Sequence, residues 1–207
     1  LKGDLLKVGL FGGSFDPIHR GHIDPVQEAR RTLGLDRVVY LPTAQPPHKP
    51  GRVLAPAHAR YTMVELALLE EEGLYVSPYE LTPGRPAYTI ETLEHFRREM
   101  PGADTELFLL IGGDSFADLH LWVRFREIPG AARLVVLARP GWDLETVPLD
   151  PEVAEMARTD RVLLLRQTPV DVSSTRLREL LAAGLPLPSG AVPDLVVRYL
   201  QKYPLYR

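Results

Sequence analysis

Lys7-Val8-Gly9-Leu10-Phe11-Gly12-Gly13-Ser14-Phe15-Asp16-Pro17-Ile18-His19-Arg20-Gly21-His22 is the stretch on which the architecture turns. Lys7 to Phe11 reads as a short apolar strand that stops at Gly12-Gly13. Ser14 to Pro17 has turn chemistry, and apolar residues then recur at helical spacing through Val26 and Leu33. Two glycines let the backbone turn tightly and approach a ligand, and the helix start that follows offers unpaired N–H groups and a positive dipole end. His19 and His22 lie three apart on one side of the first turn, with Gly21 between them leaving room for a phosphate. A strand–helix turn with two surface histidines explains either feature taken alone. Both within the eleven residues from Gly12 to His22 favour an anion site.

The same alternation continues outward. Arg37 to Leu41 reads as a second strand, Pro42 to Pro56 as a rigid Pro-rich loop, and Ala57 to Glu71 as a helix. Leu74 to Ser77 is a short strand, Thr89 to Met100 an amphipathic helix with Ile90, Leu93 and Phe96 on one face, and Leu107 to Ile111 an unbroken apolar strand. Arg133 to Leu137 and Val162 to Leu165 supply two more strands, with a weakly helical Glu152 to Ala157 between them. Helices are expected at Ser174 to Ala183 and Pro193 to Lys202. Continuous apolar strands between helices imply a parallel sheet covered on both faces. The expectation is one α/β domain over residues 1–207, doubly wound, with a small helical C-terminal extension from about 172 to 207. In such sheets ligands sit beyond the carboxyl ends of the strands, where strand order reverses.

Composition narrows the function classes. With 207 residues, 45% hydrophobic and 25% charged, the chain can bury a core of its own. The net charge is −3 and no run of five like charges occurs, which argues against a duplex nucleic-acid surface or an anionic membrane as partner. The absence of cysteine removes disulfides, thiolate nucleophiles and Cys-based metal sites, so any metal would take O or N ligands. No stretch approaches 18 unbroken apolar residues, and a soluble cytoplasmic chain is expected. Arginine outnumbers lysine twenty to four, a bias that heat adaptation and a GC-rich genome explain about equally well.

Further segments carry candidate chemistry, each with a plainer alternative. Val172-Ser173-Ser174-Thr175-Arg176-Leu177-Arg178 puts consecutive hydroxyls at a helix start, where they can cap it or donate to phosphate. Arg178 lies one turn on from Ser174 and Thr175. Pro46-Pro47-His48-Lys49 places a lysine within reach of a phosphate, although solvated loop lysines are common. Ala87-Tyr88-Thr89 opens a helix with Thr89 as its expected cap, and the free N–H groups there suit a carboxylate. Asp114 can accept from hydroxyl donors, and Trp122 can stack on a flat ring; a helix cap and a core tryptophan are the alternatives.

Taken together, these motifs resemble those of the nucleotidyltransferases with a His-x-Gly-His element, and within them the nicotinate-nucleotide adenylyltransferase family. Gly12 to His22 matches that family's Gly-Gly-x-Phe-Asp-Pro-x-His-x-Gly-His at every fixed position. Val172 to Arg178 is similar to its Ile-Ser-Ser-Thr-x-Ile-Arg element, with Val172 and Leu177 as mild substitutions and Arg178, not Arg176, at the motif arginine. The family's Pro-Pro-His-Lys, Tyr-Thr-x-x-Thr-Leu, Gly-x-Asp with a later Trp, Arg-Pro-Gly and terminal Val-Pro all occur in order, so the resemblance runs from Val8 to Tyr206. It implies a Rossmann-like enzyme joining ATP to nicotinic acid mononucleotide, with Mg²⁺ carried mainly by phosphates and no dedicated protein metal site. His19, His22 and Arg178 are the expected catalytic residues. Gly12, Gly13, Ser14, Phe15, Lys49, Arg139, Ser174 and Thr175 are expected around ATP, and Tyr88, Thr89, Asp114 and Trp122 around the acceptor. Nicotinamide mononucleotide or phosphopantetheine as acceptor, and a non-catalytic nucleotide sensor, are the alternatives. Whether the chain forms a homo-oligomer is left open. One departure is Pro25, tolerable only in the first turn of its helix.

Overall fold

The computed structural model describes residues 5–44, 53–82, 87–100, 105–139 and 141–206. Six strands, β1 (Leu6–Gly13), β2 (Arg37–Pro42), β3 (Leu74–Val76), β4 (Thr105–Gly112), β5 (Arg133–Ala138) and β6 (Val162–Arg166), form one parallel sheet in the order β3-β2-β1-β4-β5-β6. Strand order therefore reverses between β1 and β4, which pair from Leu6↔Thr105 to Phe11↔Leu110. The doubly wound expectation holds.

Because strand side chains alternate, each strand feeds two cores. Val38, Tyr40, Phe108, Leu110, Val135 and Leu137 point to one face. There they meet α1 (Arg20–Leu33) and α2 (Ala57–Leu68), together with Leu177 of α7 (Ser174–Ala182) and Val196 and Leu200 of α8 (Asp194–Lys202). Val8, Leu10, Val39, Leu41, Leu109, Ile111, Leu134 and Val136 point to the other. That face is covered by α3 (Thr89–Glu99), α4 (Gly113–Ala117), α5 (Ile128–Ala131) and α6 (Pro151–Met156). Val8 and Leu10 are fully buried, each worth about 1.5–3 kcal/mol of transfer free energy. Among the described residues no helix is long and apolar enough to cross a membrane.

Several boundaries differ from the sequence reading for physical reasons. β1 runs two residues past Phe11, so Gly12 and Gly13 are still in the ladder opposite Leu41 and Pro42. The left-handed residue that turns the chain is Phe15, at φ 46°, rather than either glycine. Pro25 is the sixth residue of α1, one turn deeper than expected, where it removes the N–H that would bond Gly21. α2 stops at Leu68 instead of Glu71, closing in a turn in which Leu68 C=O accepts from Glu71 N–H at 3.0 Å. α6 begins one residue early because Asp150 caps it, accepting from Glu152 N–H at 2.9 Å. The short helices α4 and α5 have no counterpart in the sequence reading.

Candidate active site

Two hollows open at the carboxyl ends of β1 and β4. One, of about 350 Å³, is lined by Gly12, Gly13, Ser14, Glu80, Thr89 and Thr92, with Asp114, Asp118 and Trp122 across from them. The other, of about 360 Å³, is lined by Phe11, Gly21, His22, Arg139 and Val172, with the segment Gln167 to Asp171. Gly112, the last residue of β4, borders both. Each falls in the size range of small-ligand pockets, and together they lie over the point of strand reversal.

The histidine pair stands at the entry to α1. His19 is the N-cap residue, with extended backbone at φ −155° and ψ 172°, and is 2% exposed. Its ring centroid lies 3.8 Å from that of His22, with the planes tilted by 31°. His22 Nδ1 accepts the His19 backbone N–H at 3.3 Å, so the neutral His22 ring carries its proton on Nε2 and can donate from there. Burial pushes the His19 imidazole down to about 4, with the charge of Arg139 adding to the effect. Burial also holds His22 well below 6.5, helped by His19 and then Arg139. Both rings are therefore neutral at neutral pH, and His19 Nδ1 is buried without a hydrogen-bond partner among the described residues.

The helix start offers fewer free donors than the sequence reading supposed. The N–H of Arg20 bonds Ala191 C=O at 2.9 Å, that of His22 bonds His19 C=O at 2.8 Å, and that of His19 is held by His22. An anion placed here would be met by the imidazoles and Arg139. Phe15, expected beside ATP, instead has a core side chain, 1% exposed. Its ring meets that of His22 edge-on at 5.3 Å and packs on Phe11 and Tyr40, so it supports His22 from below. Gly13 is needed because a Cβ there would stand 2.8 Å from the Phe15 ring.

At the start of α7, Ser173 is the cap, its hydroxyl accepting from Arg176 N–H at 3.3 Å. Ser174 Oγ donates to Pro17 C=O at 3.0 Å, so its proton ties α7 to the loop after β1 rather than pointing at a ligand. Arg178 donates through Nη1 to Asp16 C=O at 2.7 Å and through Nη2 to Thr175 Oγ1 at 3.2 Å. This brings Thr175 and Arg178 to the loop that carries the histidines. Lys49 and the Pro-Pro-His-Lys segment lie outside the described residues.

On the other hollow, Thr89 is the first residue of α3 and Tyr88 its N-cap, so the expected Thr89 cap is displaced by one. Thr89 lines the hollow with Asp114 and Trp122, whereas Tyr88 borders a separate small hollow beside Thr82 and Glu91. Two residues absent from the sequence reading matter here. Glu80 lies in the wall, accepting from Thr92 Oγ1 at 2.8 Å, and burial raises its carboxyl to about 7. Arg60, 1% exposed, donates to the carbonyls of Ala55 (2.9 Å), Ser14 (2.7 Å) and Ala44 (3.0 Å), holding the loop after β1 against both flanks of the Pro-rich segment. An arginine in Ala57-His58-Ala59-Arg60-Tyr61 reads from sequence as a surface residue, and no local signal marks it otherwise.

Comparison with known proteins gives the family. Residues 10–180 match the Cytidylyltransferase-like family. A probable nicotinate-nucleotide adenylyltransferase of Thermus thermophilus is 41% identical over 202 residues, covering 98% of this chain and 100% of its own. One of Clostridium tetani is 34% identical over 201 residues, covering 97% and 99%. The fold is similar to that of the Plasmodium falciparum nicotinic acid mononucleotide adenylyltransferase complexed with NaAD, at a TM-score of 0.77 and 16% identity, covering 97% of each chain. A full-length relative at this identity and the family match over most of the chain place it: this chain belongs to the nicotinate-nucleotide adenylyltransferase family of cytidylyltransferase-like enzymes.

Proposed function

We propose that the chain transfers the AMP part of ATP to nicotinic acid mononucleotide, releasing pyrophosphate and forming nicotinic acid adenine dinucleotide. The observation that carries this reading is the pair of hollows meeting at Gly112, one bordered by His22 and Arg139 and the other by the α3 start and Trp122. Two mononucleotides placed there would present their phosphates to each other above the β1–β4 junction.

The acceptor's 5′-phosphate attacks the α-phosphorus of ATP in line, forming one P–O bond as the bond to the β-phosphate oxygen breaks. A phosphate monoester with a second pKa near ~6 is largely ionised at neutral pH, so the step needs no general base. The protein's work is alignment and charge stabilisation. Neutral His22 would donate from Nε2 to a phosphate oxygen, with Arg139 supplying positive charge in the same hollow. Arg178 and Thr175 would face the departing pyrophosphate. The α3 start at Thr89 would orient the nicotinate carboxylate, Trp122 would stack on its ring, and Asp114 would accept from ribose. Among the described residues no group of three or more His, Asp or Glu is placed to hold a metal ion. A Mg²⁺ carried by phosphate oxygens would supply charge neutralisation when bound. We read residues 1–207 as one cytoplasmic domain, with the segment from about 172 onward its helical extension.

Pyrophosphate release with ATP and Mg²⁺ tests the reading, with nicotinic acid mononucleotide, its amide and phosphopantetheine compared as acceptors. Preference for the acid is expected. Preference for the amide would remove the role given to the α3 start, and turnover with none would leave a nucleotide sensor. His22→Ala should lower kcat on the order of a hundredfold, as for loss of a transition-state donor. An unchanged kcat would remove His22 from that role.

A further inference from the structure

Asp16 is 1% exposed and sits at the bottom of the loop between β1 and α1. Its Oδ1 accepts from Ala55 N–H at 3.1 Å and from the Tyr206 hydroxyl at 2.8 Å. Its Oδ2 is buried without a hydrogen-bond partner among the described residues and lies 3.8 Å from Arg178 Nη1. That same Nη1 donates to the Asp16 backbone carbonyl at 2.7 Å. One buried residue thus receives the far end of the chain on its carboxylate and Arg178 on its carbonyl. Tyr206 lies beyond α8 and lines neither hollow of the active site.

We propose that Tyr206 is a positioning residue for the pyrophosphate side of the reaction, acting through Asp16 on Arg178. A buried carboxylate needs donors to offset its lost hydration. With the Tyr206 hydroxyl and Ala55 N–H on Oδ1, the carboxylate is held in place and Arg178 keeps Nη1 on the carbonyl. The guanidinium donors that remain can then reach outward. Without the phenol, the carboxylate has lost one of its two hydrogen bonds, and the nearest strong donor to replace it is Arg178. Arg178 would then be drawn down onto the carboxylate and away from phosphate. The contact spans 190 residues of sequence, so no local pattern announces it. The inference rests on the assignment of Arg178 to the phosphates, and its test keeps the two apart.

Tyr206→Phe, Tyr206→Ala and Arg178→Ala are compared in the full chain by initial-rate kinetics with ATP, Mg²⁺ and nicotinic acid mononucleotide, by product inhibition with pyrophosphate, and by thermal unfolding. For Tyr206→Phe, KM for ATP and the inhibition constant for pyrophosphate should both rise roughly three- to tenfold, since part of a lost hydrogen bond to a charged group is transmitted. KM for the acceptor should stay within about twofold, and the melting temperature should fall by only a few degrees, as for the loss of one hydrogen bond to a buried carboxylate. Tyr206→Ala should weaken ATP and pyrophosphate at least as much. If Arg178→Ala weakens ATP and pyrophosphate while Tyr206→Phe leaves both alone, the role of Tyr206 is overturned and that of Arg178 stands. If Arg178→Ala changes neither, the assignment of Arg178 falls and takes the proposal with it. Equal weakening of ATP and acceptor in step with a lower melting temperature would make Tyr206 a structural strut only, which also overturns the proposal.

Discussion

Replacing Arg60 by methionine should destabilise the protein, although the arginine itself lines neither hollow and reaches one only through the Ser14 carbonyl. Methionine fills much of the volume of the arginine stem but carries no donor, so the carbonyls of Ser14, Ala44 and Ala55 lose bonds of 2.7, 3.0 and 2.9 Å together. A buried acceptor left without a partner costs about 1–3 kcal/mol. Three of them would sum to more than the net effect, because the change also relieves the cost of burying a guanidinium, visible in the downward push that burial gives Arg60. A loss of about 3–5 kcal/mol follows, a large share of the ~5–15 kcal/mol that domains possess. For a chain of this size the melting temperature should fall by roughly 10 °C. Urea unfolding followed by tryptophan fluorescence measures the first quantity and scanning calorimetry the second. Arg60→Lys, which keeps one charge and three donors at a single nitrogen, should lose less. A loss below about 1 kcal/mol for Arg60→Met would refute the reasoning, since it would mean that water or backbone shifts satisfy all three carbonyls.

Three further outcomes are expected. His19 titrates at about 4 in the fold against 6.5 in the free side chain, so the unfolded state binds more protons between those values and stability falls as pH drops through them. This one group should account for up to about 3 kcal/mol of acid destabilisation, and His19→Gln should show a smaller difference between urea midpoints at pH 7 and pH 4.5; an equal difference counts against the assignment. Glu80 shifts the other way, from 4.5 to about 7, so its contribution is complete below 4.5 and is lost as pH rises through 7. Glu80→Gln, which can still accept from Thr92, should be more stable than the parent by about 1–3 kcal/mol at pH 8 and gain nothing at pH 5, as urea titrations at the two pH values would show. Gly113→Ala would drive a methyl group into the Trp142 indole, costing about 1–3 kcal/mol and shifting its fluorescence to the red; unchanged emission would mean that the indole is not seated there.

The sheet was legible in the sequence because buried parallel strands appear as continuous apolar runs, and each of the six begins within two residues of its expected start. Helices were read well where one face is apolar, as in α3, and poorly where four or five residues make a turn that only packing stabilises, as in α4 and α5. At the site, His19, His22, Thr89, Asp114, Trp122, Arg139 and Arg178 were visible as motif residues, and the fold gathers them near the ends of β1 and β4. What sequence hides is the direction of each bond. Ser174 donates to Pro17, donors at the α1 start are taken by Ala191 and His19, and Phe15 is turned into the core. Asp16, Arg60, Glu80 and Tyr206 take their meaning from partners 5 to 190 residues away, and periodicity carries no trace of such pairings.

The strand order also bears on how the chain is made. β1 is central, and its partner β2 begins 24 residues after β1 ends, whereas β4, which must cover its other edge, begins 92 residues after it. At a synthesis rate of ~5–20 residues per second, that edge stays open for roughly 5–20 s on each ribosome. During this interval Val8 to Phe11 present unpaired amides flanked by apolar side chains, a template for any other nascent strand. The strand that leads into the histidine pair in the finished protein is thus the one most exposed to mispairing in the unfinished one, and crowded translation or a stalled ribosome should raise aggregation through it.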